Sequence, residues 1–328
     1  MRPLRILTWH THGSYLYSLS QIPHEIFLPV LPDRHAPYGG RGTTFPFGTN
    51  VRDIAADEVA DLELDCIIFQ TREQYQYEQY RVLSPAQRRL PRIFLEHDPP
   101  RQQPTNTRHP AAGDDCLIVH VTPFNRLMWD SGTSDAIVIE HGVPEPRGIR
   151  YSGELPAGIV VINDLAKRGR RLGADVFEAL RRELPLDLIG MGNEATGGLG
   201  EVPPMEVAQF VSRYRFFLNP IRWTSLGLAV CEAMMVGVPI LGLATTEMVT
   251  AVKNGVSGYL ETEPAALIPH ARRLLSDPAE AHALGCGARE AALDRFSIER
   301  FVHEWDAALR AVAGIGRGPR ASAGAVTA

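Results

Sequence analysis

The chain has 328 residues and a formal net charge of -5 at pH 7. A chain of this length is expected to form two domains and can bury most of its apolar surface. The acidic balance argues against a general nucleic-acid binder, because that role normally requires a basic excess over a domain or a face.

The four cysteines, Cys66, Cys116, Cys231 and Cys286, are isolated in the sequence. They lack C-x-x-C spacing or a histidine at metal-ligand spacing, so they are predicted to be reduced thiols in the core. No apolar run reaches the roughly 18 residues that a membrane span needs, and the first residues enter a strand instead of a signal peptide. We therefore expect a cytoplasmic protein without a transmembrane segment, which leaves room for peripheral membrane contact.

Short apolar runs alternate with helical stretches along the first half of the chain. The runs are LRILTW at 4–9, HEIFLPV at 24–30, DCIIFQ at 65–70, RIFLEH at 92–97, CLIVHVT at 116–122 and AIVIEH at 136–141. This alternation predicts a parallel sheet covered by helices on both faces. The Pro- and Gly-rich stretch at 142–158 then predicts a linker.

A second series of apolar runs follows the linker. It comprises GIVVIN at 158–163, LDLIGMG at 186–192, YRFFLNP at 214–220, PILGLA at 239–244 and GYL at 258–260. We predict two facing, doubly wound α/β domains at 1–145 and 146–296, a C-terminal helix at 297–314 that can pack back on the first domain, and a disordered tail at 315–328. Ligands of such sheets bind at the carboxyl ends of the strands, here in a cleft between the domains.

The stretch TSLGLAVCEAMMVGVP, at 224–239, predicts an apolar helix with one carboxylate, Glu232. Thr224 or Ser225 can cap its start, and Gly237 can take the left-handed conformation at its end. Because a strand precedes the helix, its free N–H groups are expected to face the cleft, where they suit a phosphate. The alternative is an ordinary strand–loop–helix unit in which Glu232 pairs with an arginine.

The same stretch resembles family 4, or group 1, of the retaining GT-B glycosyltransferases. The family signature is E-G-F-G-L, three residues, then E-A-M-A-x-G-x-P, followed by a G-x-x-G turn. Residues in register with it are Gly227, Leu228, Glu232, Ala233, Met234, Gly237, Pro239, Gly255 and Gly258. Weaker similarities are LIGMG, GEVP and DLAKRG. The resemblance implies a GT-B fold, in which two Rossmann-like domains face each other across a cleft.

The resemblance also implies a donor site in the C-terminal half. Glu232 would accept hydrogen bonds from the ribose hydroxyls of a nucleotide-sugar, which would satisfy a carboxylate that its apolar helix cannot. Other residues assigned to the donor are Gly190, Ser225, Leu226, Gly227 and Leu228. The turn with Lys167, Arg168 and Arg171 would bind the diphosphate, since a guanidinium can bind phosphate through two hydrogen bonds. The alternative for this turn is a solvated basic surface.

In the N-terminal half, His12 and Gly13 occupy the place of the family's glycine-rich loop. Gly13 is assigned to the donor, because glycine lets the backbone approach a ligand closely, and His12 to the acceptor side. FLEHDPP resembles the strand end where a family histidine faces the donor sugar, so His97 is a catalytic candidate with Asp98 on the acceptor side. A structural role for His97 stays open, and His141 is expected to be structural.

Several positions depart from the family pattern. Thr224, the second catalytic candidate, replaces the first glutamate of the signature, and Thr246 and Glu247 replace a glycine pair. Thr250 stands where the family has an acidic residue, and Asn163 stands where the family has an arginine before the phosphate-binding turn. These positions normally touch the sugar and the diphosphate, so either the donor is held differently or activity has been lost.

The sequence thus predicts a retaining glycosyltransferase that moves a sugar from a nucleotide-diphosphate-sugar to an unknown acceptor, such as a glycan, a lipid-linked sugar or a small molecule. No metal or other cofactor is expected, because the adjacent aspartates of GDDC lack D-x-D spacing and GT-B enzymes stabilise the leaving group with basic side chains and a helix dipole. The alternatives are an inactive GT-B-like nucleotide-sugar-binding or scaffold protein and, less favoured, a sugar-nucleotide epimerase.

Overall fold

The computed structural model describes residues 2–314 and contains two parallel sheets, one in each half of the chain. The tail predicted to be disordered lies outside the described residues. The strands of the N-terminal half are β1 (Arg5–Leu7), β2 (Glu25–Val30), β3 (Val51–Ala55), β4 (Cys66–Phe69), β5 (Arg92–Glu96), β6 (Thr107–Arg108), β7 (Leu117–His120), β8 (Trp129–Asp130) and β9 (Ala136–Val138). The strands of the C-terminal half are β10 (Leu155–Val161), β11 (Leu186–Ile189), β12 (Tyr214–Asn219), β13 (Ile240–Leu243) and β14 (Gly258–Glu261).

Helices cover both sheets. The α-helices are α1 (Gly13–Leu19), α2 (Gln79–Val82), α3 (Pro123–Met128), α4 (Leu165–Arg168), α5 (Ala174–Leu180), α6 (Pro204–Val211), α7 (Leu228–Val236), α8 (Met248–Ala251), α9 (Leu267–Ser276), α10 (Pro278–Arg295) and α11 (Ile298–Val312). Short 3₁₀ segments lie at Val59–Asp61, Gln87–Arg89, Gly169–Leu172, Glu194–Thr196 and Pro264–Ala266, and a π-helix lies at Gln74–Glu78.

The strand order of each sheet reverses at one point. The first sheet has the order β3-β2-β1-β4-β5-β7-β9 and the second has β11-β10-β12-β13-β14. Their strand pairs are parallel, and Ile6 of β1, for example, pairs with Ile26 of β2 and Cys66 of β4. The reversals fall between β1 and β4 and between β10 and β12, and such switch points are where ligands of open parallel sheets bind. The predicted architecture of two doubly wound sheets is confirmed.

The sequence prediction missed or misplaced several elements. The edge strand β3 was not predicted, because its sequence VRDIA contains no continuous apolar run and only Val51 of it is buried. Strand β10 begins at Leu155, inside the stretch predicted as a linker. The prediction of four core thiols is wrong for Cys286, which is exposed on α10, whereas the other three cysteines are buried.

The C-terminal helix α11 belongs to the core of the N-terminal sheet. Its buried residues Phe301, Trp305 and Leu309 share one apolar cluster with Leu4 of the N-terminal half. The Trp305 indole N–H also donates to the Tyr15 hydroxyl at 3.2 Å. The chain therefore crosses back to its starting domain at its end, although the exact domain boundaries stay a prediction.

Within residues 2–314, none of the helices combines the length and the apolar character that a membrane span requires.

This packing predicts that Trp305→Ala lowers the free energy of unfolding by about 3–5 kcal/mol, because truncating a fully buried aromatic leaves a cavity. Denaturant unfolding followed by circular dichroism measures the change. The exposed His303 on the same helix provides the matched control, His303→Ala, which should change stability by less than about 0.5 kcal/mol. Equal stability of the two variants would contradict a core role for α11.

Candidate functional site

The loops at the two switch points carry most of the predicted site residues. Residues 10–13, 70–73 and 97–101 follow β1, β4 and β5, while residues 162–171 and 220–227 follow β10 and β12. The two sets meet across the cleft, where the Trp223 indole N–H donates to the Pro100 carbonyl at 2.9 Å. The His141 Nε2 atom lies 2.8 Å from the Leu226 carbonyl oxygen, a structural contact that also joins the halves.

The start of α7 is open to an anion. The backbone N–H groups of residues 224–229 form no hydrogen bond within the described part of the chain. The next residue, Val230, is the first whose backbone N–H has a partner, the carbonyl of Gly227. A Cβ atom on Gly227 would meet nothing within 4 Å, so the helix start faces free space. Free N–H groups and the positive end of the helix dipole together favour a phosphate here.

The predicted side-chain cap of α7 is wrong. The helix begins at Leu228 with Gly227 as its N-cap, and no side chain caps it. Ser225 is buried and its carbonyl accepts from the Thr246 hydroxyl at 3.2 Å, while Thr224 is only partly buried. A cap two or three residues further along the chain leaves the Thr224 hydroxyl available to a ligand. The end of the helix is as predicted, because Gly237 has a φ of 92°.

The Glu232 carboxylate has no partner in residues 2–314. No hydrogen bond or ion pair reaches it, and burial, the sole cause, raises its pKa from its ordinary value of 4.5 to about 7. The alternative of an arginine pair is therefore not what the structure shows. Glu232 is only partly buried, and its oxygens are not among the fully buried polar atoms that lack a partner. The carboxylate therefore reaches solvent on the helix that begins with free N–H groups, where a ligand can replace water as its hydrogen-bond partner.

The basic turn lies at the C-terminal end of β10. Arg170 and Arg222 pair with Asp175 on the surface of α5. The turn has three further basic residues, Lys167, Arg168 and Arg171. None of them forms an ion pair with a carboxylate in the described part of the chain. Burial lowers the pKa of Arg171, and the charges of Arg101 and Arg168 lower it further. Cations from both halves therefore converge on the cleft, and Arg101 was not identified from the sequence.

Gly190 has a structural explanation. Its φ is 129°, and a Cβ atom there would lie 2.5 Å from the Ile162 carbonyl oxygen. The neighbouring Asn163 accepts from the Met191 N–H at 2.9 Å, so the residue in place of the family's arginine ties two strand ends together. The role of Gly190 toward a donor stays a prediction.

Two histidines meet on the N-terminal side of the cleft. The ring centroids of His12 and His97 are 4.5 Å apart, and those of Tyr15 and His97 are 4.8 Å apart. Burial lowers the pKa of His97 well below its usual range, and the His12 and His141 charges add to this effect. Burial of the ring also lowers the pKa of His12, although the residue as a whole is exposed. The His97 ring is therefore neutral at pH 7 and can accept a proton or a hydrogen bond.

The turn that follows His97 is fixed by its neighbours. The Asp98 N–H donates to Glu96 Oε1 at 3.0 Å, and the Trp129 indole N–H donates to the Asp98 carbonyl at 2.8 Å. Burial raises the pKa of Glu96 to about 8. The Asp98 carboxylate forms an ion pair with Arg101. Asp98 therefore already has a basic partner, and its predicted role on the acceptor side stays a prediction.

Gly13 makes room for an aromatic side chain. A Cβ atom on Gly13 would lie 2.6 Å from Phe45 Cε2, which is closer than van der Waals contact. The Phe45 ring stacks on Tyr17 with 5.4 Å between centroids. The absence of a side chain at Gly13 thus allows the loop before β3 to cover the start of α1, next to His12.

A charged network that the sequence did not reveal joins the two halves. Glu247, which replaces one family glycine, is 2% exposed and accepts from the Phe124 N–H at 2.9 Å and from Arg295 at 2.6 Å. The Arg295 Nε atom also donates to Glu140 at 2.9 Å. Burial alone would lower the pKa of Arg295, but its bonds to the two carboxylates raise it. Arg295 lies 48 residues from Glu247 and 155 residues from Glu140 in the sequence, so no local sequence pattern could have predicted these ion pairs.

Within residues 2–314, no group of three or more His, Cys, Asp or Glu side chains is arranged to hold a metal ion.

Residues 172–277 match the family described as "Glycosyl transferases group 1". Among curated proteins, D-inositol 3-phosphate glycosyltransferase 1 of Catenulispora acidiphila is 35% identical over 88 residues. This alignment covers 26% of the chain and 21% of the relative, so the chain spans about a fifth of the length of the curated relative it matches.

Solved structures resemble the whole chain. Sucrose-phosphate synthase from Thermosynechococcus elongatus has a TM-score of 0.73 at 14% identity, and the alignment covers 96% of this chain and all of that one. HepE of Anabaena, in a crystal structure with UDP, has a TM-score of 0.67 at 14% identity and covers 95% of this chain. That alignment covers 100% of the HepE chain. These likenesses show that the chain has the GT-B fold. The group 1 match in its C-terminal half and the fold of the whole chain together support a GT-B glycosyltransferase.

Proposed function

We propose that the protein transfers a sugar from a nucleotide-diphosphate-sugar bound at the second sheet to an acceptor bound at the first. The observation that carries this proposal is the unpartnered carboxylate of Glu232 on the helix with a free N-terminus. Ribose hydroxyls would donate to Glu232, and a diphosphate would accept from the N–H groups at the helix start. Retention of configuration rests on the resemblance to family 4 alone.

The leaving diphosphate would be stabilised by protein charges. Arg168 and Arg171 have no carboxylate partner in the described residues. Burial is the main cause that lowers the pKa of both guanidinium groups. Preorganised cations in a partly desolvated cleft stabilise developing negative charge strongly. This supports the proposal of catalysis without a metal or another cofactor. The cytoplasmic location expected from the sequence remains part of the proposal.

The acceptor is proposed to bind on the N-terminal side of the cleft, near His12 and Asp98. The stacked pair of Tyr17 and Phe45 lies beside this region, and both rings are partly exposed. Aromatic rings provide flat apolar surfaces with little conformational entropy to lose. The loop at 31–50 and the segment at 98–115 would therefore shape the acceptor pocket, as loops often do.

The donor can be identified by a thermal-shift screen with UDP-, GDP-, ADP- and TDP-sugars. A ligand that binds only the folded state raises apparent stability. The HepE structures contain UDP and, in one case, UDP-glucose, so the UDP class is the first to test.

Nucleotide release from the stabilising donor then tests transfer itself. Release that increases with a panel of acceptors supports the transferase, and isomerised donor without release would support an epimerase. Binding without turnover after the acceptor screen would contradict the transferase and favour an inactive nucleotide-sugar binder.

Glu232→Gln is expected to stabilise the protein at pH 8 but not at pH 4.5. The folded-state pKa of Glu232, about 7, lies above the unfolded value of 4.5, so the stability that this group contributes is present below pH 4.5 and lost as pH rises through 7. The gain at pH 8 is at most about 3 kcal/mol, since one pKa unit corresponds to about 1.4 kcal/mol and the residue keeps some solvent. Thermal unfolding at both pH values measures it. The exposed Glu290 on α10 supplies the control, Glu290→Gln, which should show no such difference.

Glu232→Ala is expected to weaken nucleotide binding by roughly 10- to 150-fold, because two hydrogen bonds to a charged acceptor are lost, worth about 1.5–3 kcal/mol. Wild-type affinity should also increase as pH rises through 7, since only the ionised carboxylate accepts both hydroxyls. Calorimetry measures both effects, with Glu290→Ala as control. Unchanged affinity in a folded Glu232→Ala protein would make Glu232 a structural residue.

His97→Ala is expected to leave nucleotide affinity near the wild-type value and to reduce turnover by about a hundredfold, as for a group that acts beside the reacting sugar. Calorimetry and nucleotide-release kinetics separate the two effects. If affinity and turnover fell by the same factor, His97 would have a structural role instead.

A further inference from the structure

Gln70 lies at the end of β4, at the switch point of the first sheet, and its side chain is buried. Its amide nitrogen donates to the Thr8 hydroxyl at 2.9 Å and to the Trp9 carbonyl at 2.8 Å. A backbone carbonyl can only accept a hydrogen bond, so the amide nitrogen of Gln70 must be the atom that faces Trp9. The orientation of this amide is therefore determined by its surroundings.

The other end of the Gln70 amide faces His97. Its Oε1 atom lies 3.0 Å from His97 Nε2. Because an amide oxygen can only accept, His97 Nε2 must carry a hydrogen. A neutral imidazole has one N–H group, so Nδ1 of His97 keeps its lone pair. This Nδ1 atom has no hydrogen bond in residues 2–314 and is not among the fully buried polar atoms that lack a partner. It is thus accessible to a ligand.

A second glutamine holds Gln70 in place. Gln74 Oε1 accepts from the Gln70 backbone N–H at 2.8 Å, and Gln74 Nε2 donates to the Thr11 hydroxyl at 2.9 Å. The loops after β1 and β4 are thereby connected next to His97. The titratable groups that face the His97 ring are His12 from the loop after β1, Tyr15 from α1 and His141 after β9.

We infer that Gln70 is a positioning residue that fixes His97 as the Nε2–H tautomer and presents Nδ1 as the hydrogen-bond acceptor toward the substrate. The tautomer follows from these hydrogen bonds together with the burial of the ring, which favours the neutral imidazole. The part that concerns the substrate rests on the proposed function, in which Nδ1 accepts a hydroxyl hydrogen from the bound sugar. A bound hydroxyl would keep its proton in the ground state, so no covalent step is involved.

Long-range ¹H–¹⁵N NMR of the full chain labelled at histidine nitrogens tests the tautomer without any donor. The His97 signals are assigned by their loss in His97→Asn. The wild type should show a single neutral Nε2–H form of His97 between pH 6 and 8. Gln70→Leu should give a mixture of tautomers, and Gln70→Glu should shift the His97 titration upward by at least about one pH unit, because a carboxylate favours the imidazolium.

Gln87→Leu is the matched control. Gln87 is also buried and also donates to two oxygens, the carbonyls of Val59 and Leu62, but it does not contact His97. The control should leave the His97 spectrum unchanged even if it lowers stability as much as Gln70→Leu. If Gln70→Leu does not fold, Gln70→Glu decides the question through the titration. An Nδ1–H form in the wild type, or a titration unaffected by Gln70→Glu, would overturn the inference.

Nucleotide-release kinetics then test the link to the substrate. Gln70→Leu should reduce kcat by about tenfold with unchanged donor affinity, a part of the roughly hundredfold that a positioned acid or base contributes. The expected NMR result without nucleotide release from any donor would support the tautomer and contradict the proposed function. The expected NMR result with wild-type kcat in Gln70→Leu would overturn the catalytic significance of the tautomer.

Discussion

The ion pairs of Arg295 with Glu247 and Glu140 form a charged network that connects the two halves of the chain. Removing two carboxylates and a guanidinium from water is unfavourable, and only good geometry with further hydrogen bonds offsets that loss. Glu247 meets this condition, because it also accepts from the backbone of Phe124 at the start of α3. This network crosses between the halves. Together with the contacts of Trp223 and His141, it contributes to the spacing of the two switch points that carry the candidate site.

Two glutamates of the C-terminal half illustrate how burial separates structure from function. Glu247 is almost fully buried and accepts from a backbone N–H and a guanidinium, so its charge is satisfied within the protein. Glu232 has no such partner, and burial accordingly raises its pKa to about 7. Glu232 is only partly buried, so water can satisfy its carboxylate in the free protein and a ligand can take the place of that water. The same residue type thus stabilises the domain arrangement at one position and leaves binding capacity at the other.

Local sequence patterns predicted much of the fold and the helix α7 that carries part of the candidate site. Continuous apolar runs marked the central strands, and Gly237 marked the end of α7, because these signals depend on neighbouring residues. The edge strand β3 lacks such a run, and the capping of α7 by Gly227 instead of a side chain depends on the path of the preceding loop. Gln70 could have been noted as a polar residue that ends a buried strand. Its partner His97 lies 27 residues away, so their contact required the strand order.

Trp223 gives the molecule an intrinsic optical probe of its cleft. Its indole N–H bonds to Pro100 of the opposite half, and its ring meets the edge of Phe124 with 5.4 Å between centroids. Trp9 and Trp305, by contrast, are fully enclosed in the N-terminal half. Separation of the halves would leave the surroundings of these enclosed indoles unchanged. It would replace the contacts of the Trp223 indole with Pro100 and Phe124 by contacts with water. The fourth tryptophan, Trp129, is partly buried and donates to Asp98 within the N-terminal half. Of the four indoles, only that of Trp223 bonds across the cleft in the described residues, so a change in the spacing of the halves would alter its environment directly, without an added label.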